Sequence, residues 1–308
     1  MTDAKIWMDG SFVSWNDAKI HVLTHGLHYG TAVFEGIRCY KTHRGLAIFR
    51  LSDHILRLSL SAKIYFMNIK YSKRQIENAV IETINVNEPE ENYVRVIAYY
   101  GYGKLGVNPL PNKVSVAIAI WKWDESITNR EPEKGARLAV SSWTRIDSRS
   151  MPTQAKATAN YANSALARME ALKMGFDEAV MLNPAGKVIE ASAENIFVVR
   201  DDVFITPPVS SGALNGITRD SILAILHHSG SPFEIRDISR EELYMADEVF
   251  LTGTAAGIRE VGEIDNRMIG DGCIGKHTMR VKEKFHTITQ GRDDIFSKRW
   301  LTYANQGQ

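Results

Sequence analysis

Two runs of β-branched and aromatic residues, 93–100 (YVRVIAYY) and 114–121 (VSVAIAIW), flank a segment that cannot fold as a helix. That segment contains Gly101, Gly103 and Gly106 in the spacing G-x-G-x-x-G, directly after a strand. A dinucleotide-binding turn needs a helix to begin within such a motif, so that its amides cradle a pyrophosphate. Here Pro109 and Pro111 follow at once and block the helix. The two strands are joined by a long glycine-rich loop, and the reading as a dinucleotide oxidoreductase is rejected.

The remaining punctuation alternates short strands with capped helices. Asp9-Gly10 marks a hairpin between two short apolar runs. Strands are expected at 31–40 and 45–50. A helix capped by Ser52 should bury Ile55, Leu58, Ala62 and Tyr65, and Ser72 with Gln75 forms a capping box for a helix burying Ile76, Ala79, Val80, Thr83 and Ile84. The polar stretch 124–134 (DESITNREPEK) reads as a linker between an N-terminal α/β half, 1–123, and the remainder, 135–308. Beyond it come a strand at 137–143, a helix after Tyr161 with Ala165, Leu166, Met169 and Leu172 as its buried stripe, and short strands at 178–182, 187–191, 195–200, 203–206 and 248–252. A further helix follows Thr218, its expected cap, and a closing helix covers 276–285.

Charge and composition exclude several classes. The 308 residues carry a net charge of +1 and no basic run, which argues against a nucleic-acid or anionic-membrane surface. Two cysteines, Cys39 and Cys273, are too few for a disulfide scaffold, and the longest apolar stretch, 114–121, is too short to span a bilayer. The N-terminus lacks a signal-peptide pattern, so a soluble, cytoplasmic protein is expected. His21, His25 and His28 have no acidic companion and are broken up by glycines, so no metal site is assigned to them.

The chemistry centres on 150–167 (SMPTQAKATANYANSALA), where Lys156 is the one charged residue. A lysine among small and amide side chains can be partly desolvated, which favours a nucleophilic amine. Two anion nests accompany it: the helix start at Asn215-Gly216-Ile217-Thr218, and the turn of small residues 253–257 (GTAAG). Glu190 adds a carboxylate at the end of an apolar strand. A reactive lysine, a phosphate cup and an acid for a pyridine nitrogen are the set that pyridoxal 5′-phosphate requires.

Eight segments in order, LHYGTAVFEGIRCY, HILRLSLSAK, YVRV, LGVNP, QAKATANYANS, VIEASAENIF, NGITRD and LTGTAAGI, resemble the fold-type IV pyridoxal-phosphate aminotransferases, and within them the branched-chain amino acid aminotransferases. The resemblance runs from residue 5 to about 285. It implies an α+β, two-domain fold, with a smaller N-terminal α/β domain and a larger C-terminal domain built on a pseudo-barrel of strands with flanking helices. It also implies transamination of L-leucine, L-isoleucine and L-valine with 2-oxoglutarate.

By the same resemblance Lys156 holds the cofactor as the Schiff-base lysine and shuttles the Cα proton as base and then acid. Glu190 would pair with the pyridine nitrogen and Tyr161 with the phenolic oxygen. Arg57, Leu214, Ile217, Thr218 and Thr254 complete the cofactor set, with Arg57, the Ile217 amide, Thr218 and Thr254 on the phosphate. Tyr93 and the amides of Thr254, Ala255 and Ala256 would hold the substrate carboxylate. Phe34, Tyr161 and Trp123 would wall an apolar side-chain pocket, with room left by Gly36. Arg38 and Arg95 would meet the distal carboxylate of glutamate. A homodimer is implied, with Tyr29, Leu105 and Val107 reaching the partner's site. The small residues around Lys156 are expected to make room for a flat cofactor.

Several positions depart from the family pattern. Gly257 stands where a glutamate is usual, EASAEN replaces EGSGEN, ATAN replaces ATGN, and the linker has Ser126 and Ile127 near the place of a tyrosine. The readings set against this one are a D-amino acid or (R)-amine transaminase or aminodeoxychorismate lyase of the same fold, and a catalytically silent cofactor carrier.

Overall fold

The computed structural model describes residues 4–87, 91–122 and 135–304. The expected linker, 124–134, and Trp123 lie outside the described residues. The chain divides into two compact units: Met1–Trp123 with Ala155–Ala159 and Thr287–Gln308, and Asp124–Gln154 with Asn160–His286.

In chain order the elements are β1 (Lys5–Met8), β2 (Ser11–Ser14), α1 (His25–Tyr29), β3 (Ala32–Thr42), β4 (Gly45–Phe49), α2 (Leu51–Ile64), α3 (Lys73–Val86), β5 (Asn92–Tyr100) and β6 (Val114–Lys122). Then come β7 (Ala136–Val140), α4 (Asn160–Lys173), β8 (Glu178–Leu182), β9 (Lys187–Ala191), β10 (Asn195–Arg200), β11 (Val203–Thr206), α5 (Ile217–Ser229), β12 (Phe233–Ile235), β13 (Ile238–Ser239) and α6 (Arg240–Tyr244). The chain continues through β14 (Glu248–Gly253), β15 (Gly257–Ile264), β16 (Arg267–Met268), α7 (Lys276–Thr289), α8 (Phe296–Trp300) and β17 (Leu301–Tyr303).

The first unit is a seven-stranded antiparallel sheet in the order β17-β4-β3-β5-β6-β1-β2. Strand β6 alternates buried and half-exposed residues along VSVAIAIWK, as a sheet with one face on a core demands. Helices α2 and α3 supply Ile55, Leu58, Ile76, Val80 and Ile84 to that core, opposite Ile37, Val94, Val96 and Ile118.

The expected division at 1–123 and 135–308 differs from this one. Ala155–Ala159 belongs to the first unit because it runs against β3: Phe34 N donates to Lys156 O at 2.9 Å and Thr158 N to Ala32 O at 2.9 Å. The tail joins the same unit because β17 pairs with β4.

The second unit holds a ten-stranded sheet whose strands β10-β14-β15-β7-β8-β9 close on themselves through the Asn195↔Glu190 pairing of β10 with β9. This is the expected pseudo-barrel. Its core contains Leu138, Val180, Val188, Ile196, Val198, Leu251 and Val261, one or more from each of the six strands. Closure leaves no free edge within the ring.

Some local expectations are corrected. Helix α1 forms despite its glycines and stops at Gly30 (φ +65), whose N–H donates to Gly26 O. Helix α2 starts one residue before Ser52, behind Arg50 in the left-handed region, and Asp53 accepts from Arg50 Nε at 2.6 Å. Helix α5 is capped by Gly216, with Thr218 buried inside its first turn. Helix α4 buries Ala167 and Ala171 against Ala139, Ala179 and Met181, while Leu166, Met169 and Leu172 are exposed. Small residues allow a closer approach of helix to strand, and that contact won over side-chain hydrophobicity. Cys39 is buried, Cys273 exposed, and both are free. No helix among the described residues is long and apolar enough to cross a membrane.

Candidate active site

In the first unit Lys156 is presented by an extended segment wedged against β3 and α2. Its backbone N–H donates to Ser61 Oγ of α2 at 3.0 Å, and an isolated bridge joins Ala157 to Val33. Ala155 and Ala157 are fully buried in the core, so these small residues seat the segment on the sheet rather than clear space for a cofactor. The alternation leaves Lys156 half-buried on the opposite side, with Nζ 5.1 Å from the centre of the Phe34 ring.

Phe34, Gly36 and Arg38 share one face of β3, and Tyr93 and Arg95 lie on β5 in the register Gly36↔Arg95 and Arg38↔Tyr93. The Arg95 guanidinium lies 4.6 Å from the Phe34 ring, 5.5 Å from Tyr93 and 5.7 Å from Trp121. Its Nε is buried and has no hydrogen-bond partner among the described residues. A cation in an aromatic box is held by ring quadrupoles yet retains its hydrogen-bonding capacity for an incoming anion. Arg38 is buried, with its guanidinium 4.9 Å from the Tyr40 ring. Gly36 leaves room for a particular group: a Cβ there would overlap the Tyr93 hydroxyl.

The other face of β3 carries Glu35 toward α2. Arg57 donates from Nε to Glu35 Oε1 at 2.6 Å and from Nη2 to Oε2 at 2.8 Å, and His54 Nδ1 lies 2.8 Å from Oε2. Burial pushes the Glu35 carboxyl up, but the Arg57 charge and the hydrogen bonds from Arg57 and His54 outweigh it and hold it at about 2. Burial pushes the His54 imidazole down; Glu35 opposes this, and the charges of Arg57 and Lys156 add to it. Arg57, expected as a phosphate ligand, is thus oriented by a carboxylate that the sequence reading passed over.

In the second unit Glu190 lies one residue before the end of β9 with its carboxylate buried. Arg145 Nε lies 2.8 Å from Oε1, while the Leu214 amide donates to Oε2 at 3.1 Å and Asn195 Nδ2 at 3.3 Å. Asn195 also donates to Leu214 O at 3.0 Å, which ties the loop before α5 to the barrel. Gly216, the N-cap of α5, brings no side chain to the amides of the first turn, and a Cβ there would overlap Asn195 Oδ1. Ile217 and Thr218 are buried at this positive helix end. Thr254, Ala255 and Ala256 form a half-exposed turn closed by the Gly253↔Gly257 pair. Tyr161 is half-exposed in the first turn of α4. Among the described residues no cluster of His, Cys, Asp and Glu could hold a metal ion.

The Amino-transferase class IV family model matches residues 32–264, more than half of the chain. The chain belongs to the class IV aminotransferases. It is 42% identical over 300 residues to the branched-chain-amino-acid aminotransferase of Pseudomonas aeruginosa, covering 97% of each chain. It is 40% identical over 303 residues to that of Escherichia coli K12, covering 98% of this chain and 97% of the other. The crystal structure of the T.th. branched-chain amino acid aminotransferase complexed with N-(5′-phosphopyridoxyl)-L-glutamate superimposes with a TM-score of 0.94 at 45% identity, covering 99% of this chain and 100% of that one. The fold-type IV architecture expected from the eight motifs is thereby shown.

Within this class IV aminotransferase the structure groups Lys156, Phe34, Gly36, Tyr93 and Arg95 in the first unit, and Glu190 with Leu214 in the second. Glu35, His54, Arg145 and Asn195 escaped the sequence reading. The available signal was an acid inside an apolar strand, Glu35 in AVFEGI, because a charge there needs a buried partner. Arg145 and Asn195 carry no comparable local signal. Tyr29, Leu105 and Val107 are 48%, 63% and 78% exposed, and stand largely clear of the rest of their own unit.

Proposed function

We propose that this class IV aminotransferase carries pyridoxal 5′-phosphate on Lys156 and exchanges amino groups between L-leucine, L-isoleucine or L-valine and 2-oxoglutarate. The products are branched 2-oxo acids and L-glutamate. The residues fit the cofactor: an amine of intermediate exposure, a buried carboxylate backed by Arg145, and a helix start bare of side chains at Gly216. The relatives' names support the substrate class.

The observation that carries the substrate reading is Phe34, one apolar ring with the Lys156 amine 5.1 Å and the Arg95 guanidinium 4.6 Å from its centre. A branched aliphatic side chain packs on such a ring, and the distal carboxylate of glutamate reaches the guanidinium beside it. Dual recognition of an apolar and an acidic side chain needs both surfaces together.

Pyridoxal phosphate, when bound, supplies the electron sink for the pair left at Cα. Lys156 takes the Cα proton and later returns it, as base and then acid. Glu190, paired with Arg145, would keep a proton on the pyridine nitrogen. Tyr161 hydrogen-bonds the phenolic oxygen. Arg57, Thr218, Thr254 and the Ile217 amide hold the phosphate, with Leu214 alongside. Tyr93 and the Thr254, Ala255 and Ala256 amides hold the α-carboxylate, while Arg38 assists Arg95 at the distal one. Gly36 keeps the pocket open, and Trp123 would close one wall. The enzyme would act in the cytoplasm as a homodimer, with 124–134 as the interdomain linker and Tyr29, Leu105 and Val107 lining the partner's pocket.

Lys156→Ala tests the scheme: the visible absorbance of the lysine-bound cofactor and transamination should both disappear, and wild-type turnover would sink it. A half-reaction screen with L-leucine, L-glutamate, D-alanine and an (R)-amine fixes the substrate class. Conversion with D-alanine and none with L-leucine would overturn the assignment.

A further inference from the structure

His25 is 3% exposed and belongs to none of the roles above, yet it contacts two segments that do. Its Nε2 lies 2.9 Å from Gly106 O, at the tip of the loop that carries Leu105 and Val107. A carbonyl only accepts, so Nε2 carries the proton, and in the neutral ring Nδ1 accepts from the Thr31 hydroxyl at 2.7 Å. The imidazole also packs on the Tyr29 ring, with centres 4.5 Å apart and planes at 35°. Its backbone N–H donates to Gly101 O at 3.3 Å, at the root of the same loop.

The loop has its own clamp at the base. Lys104 N donates to Asn112 Oδ1 at 2.7 Å, and Asn112 Nδ2 donates to Lys104 O at 3.1 Å. That clamp leaves the tip, 105–107, to be placed by the His25 bond to Gly106. Tyr29 on α1 and Leu105 and Val107 on the loop are exposed apolar groups, and His25 contacts both segments, through the Tyr29 ring and Gly106 O, with both ring nitrogens engaged.

We infer that His25 is a positioning residue that holds Tyr29 and the 105–107 tip together as one apolar wall, and so sets how tightly the amino-acid side chain is gripped. This rests on the reading above in which Tyr29, Leu105 and Val107 line a substrate pocket. His25 touches neither substrate nor cofactor in this role. Its loss should loosen binding and leave the chemical step intact.

The test compares His25→Leu, His25→Gln and His25→Asn in the cofactor-loaded enzyme. Hydrogen exchange is read at amides 103–108, and steady-state kinetics with L-leucine. His25→Leu should raise exchange at the tip and KM by about tenfold each, as for one lost hydrogen bond, with kcat changed by less than about twofold and the cofactor absorbance unmoved. Gln carries a donor where Nε2 lies and should restore both readouts to within about threefold of wild type, whereas the shorter Asn should behave like Leu. If His25→Leu does not fold, the Gln and Asn pair decides. Unchanged tip exchange in the Leu or Asn variant, or Gln and Asn variants that cannot be told apart, would overturn the inference. Absence of L-leucine turnover in the wild type would instead remove the functional reading, and the exchange data would still decide whether His25 holds the tip.

Discussion

Glu35 and Arg57 meet in a two-point ion pair, at 2.6 and 2.8 Å, with the carboxylate fully buried and the guanidinium nearly so. The fork geometry fixes the plane of the guanidinium, which a single contact or a lysine would not do. In the phosphate-binding role proposed for Arg57, Glu35 would fix the direction in which the guanidinium points.

Glu35→Gln should cost on the order of 3–5 kcal/mol in a urea titration, because it leaves Arg57 buried without its counter-charge. Glu35→Gln combined with Arg57→Met should cost clearly less than the two single changes added, since both remove the same interaction. Additive losses would show that the pair is not coupled.

Acid should destabilise the protein in two stages. His54 has a folded value below its ordinary 6.5, so the stability tied to its neutral form is present above that pH and is lost as pH falls below it. Glu35 sits at about 2 against an ordinary 4.5, so its contribution is present above 4.5 and is lost as pH falls from there toward 2. The Glu35 stage is worth about 3 kcal/mol, taking about 1.4 kcal/mol per unit. Urea midpoints measured from pH 7 to 3 should fall slowly at first and steeply below 4.5, and His54→Asn, which keeps an amide donor where Nδ1 faces Glu35, should flatten the upper stage while largely keeping the lower one.

Gly36→Ala should displace Tyr93. The new methyl group would overlap the tyrosine hydroxyl, and the ring is packed on Trp121 at 5.0 Å with Arg95 beside both. Because binding geometry tolerates little displacement, kcat/KM with L-leucine should drop about 100-fold while the cofactor absorbance persists. Overpacking should take about 1–3 kcal/mol from stability as well. Wild-type kcat/KM in this variant would remove Tyr93 from the substrate set.

Gly216→Ala should weaken cofactor binding. Its Cβ would push on Asn195, whose amide holds both Glu190 and Leu214 O. Loss of about 1.4 kcal/mol at this helix start corresponds to a tenfold weaker cofactor affinity. Titration of the cofactor-free protein, with inorganic phosphate as competitor, reads the effect directly. Unchanged affinity would detach this helix start from the phosphate.

The α3 stripe shows what local pattern can establish. Ile76, Ala79, Val80, Thr83 and Ile84 are its buried residues, as expected from their spacing and from the Ser72–Gln75 capping box. The α4 stripe shows where pattern stops. Leu166, Met169 and Leu172 look like a core face at the same spacing, yet Ala167 and Ala171 are the ones that pack against β8. Periodicity reports that a helix has faces; which face meets the sheet depends on how closely the strand lets it approach.

Local sequence by itself excluded a helix between β5 and β6, since the prolines of the intervening loop allow none, and the eight ordered motifs determined the family, whereas the antiparallel pairing of the two strands is a finding of the structure. The tertiary structure alone decided what stands beside each reactive group. Glu35 with Arg57 and Arg145 with Glu190 are pairs separated by 22 and 45 residues, so no window of sequence contains either. It also decided that Lys156 belongs with the first unit's sheet, through the backbone hydrogen bonds of its segment to β3. Backbone groups are the same at every residue, so a sequence cannot announce which distant strand they will join.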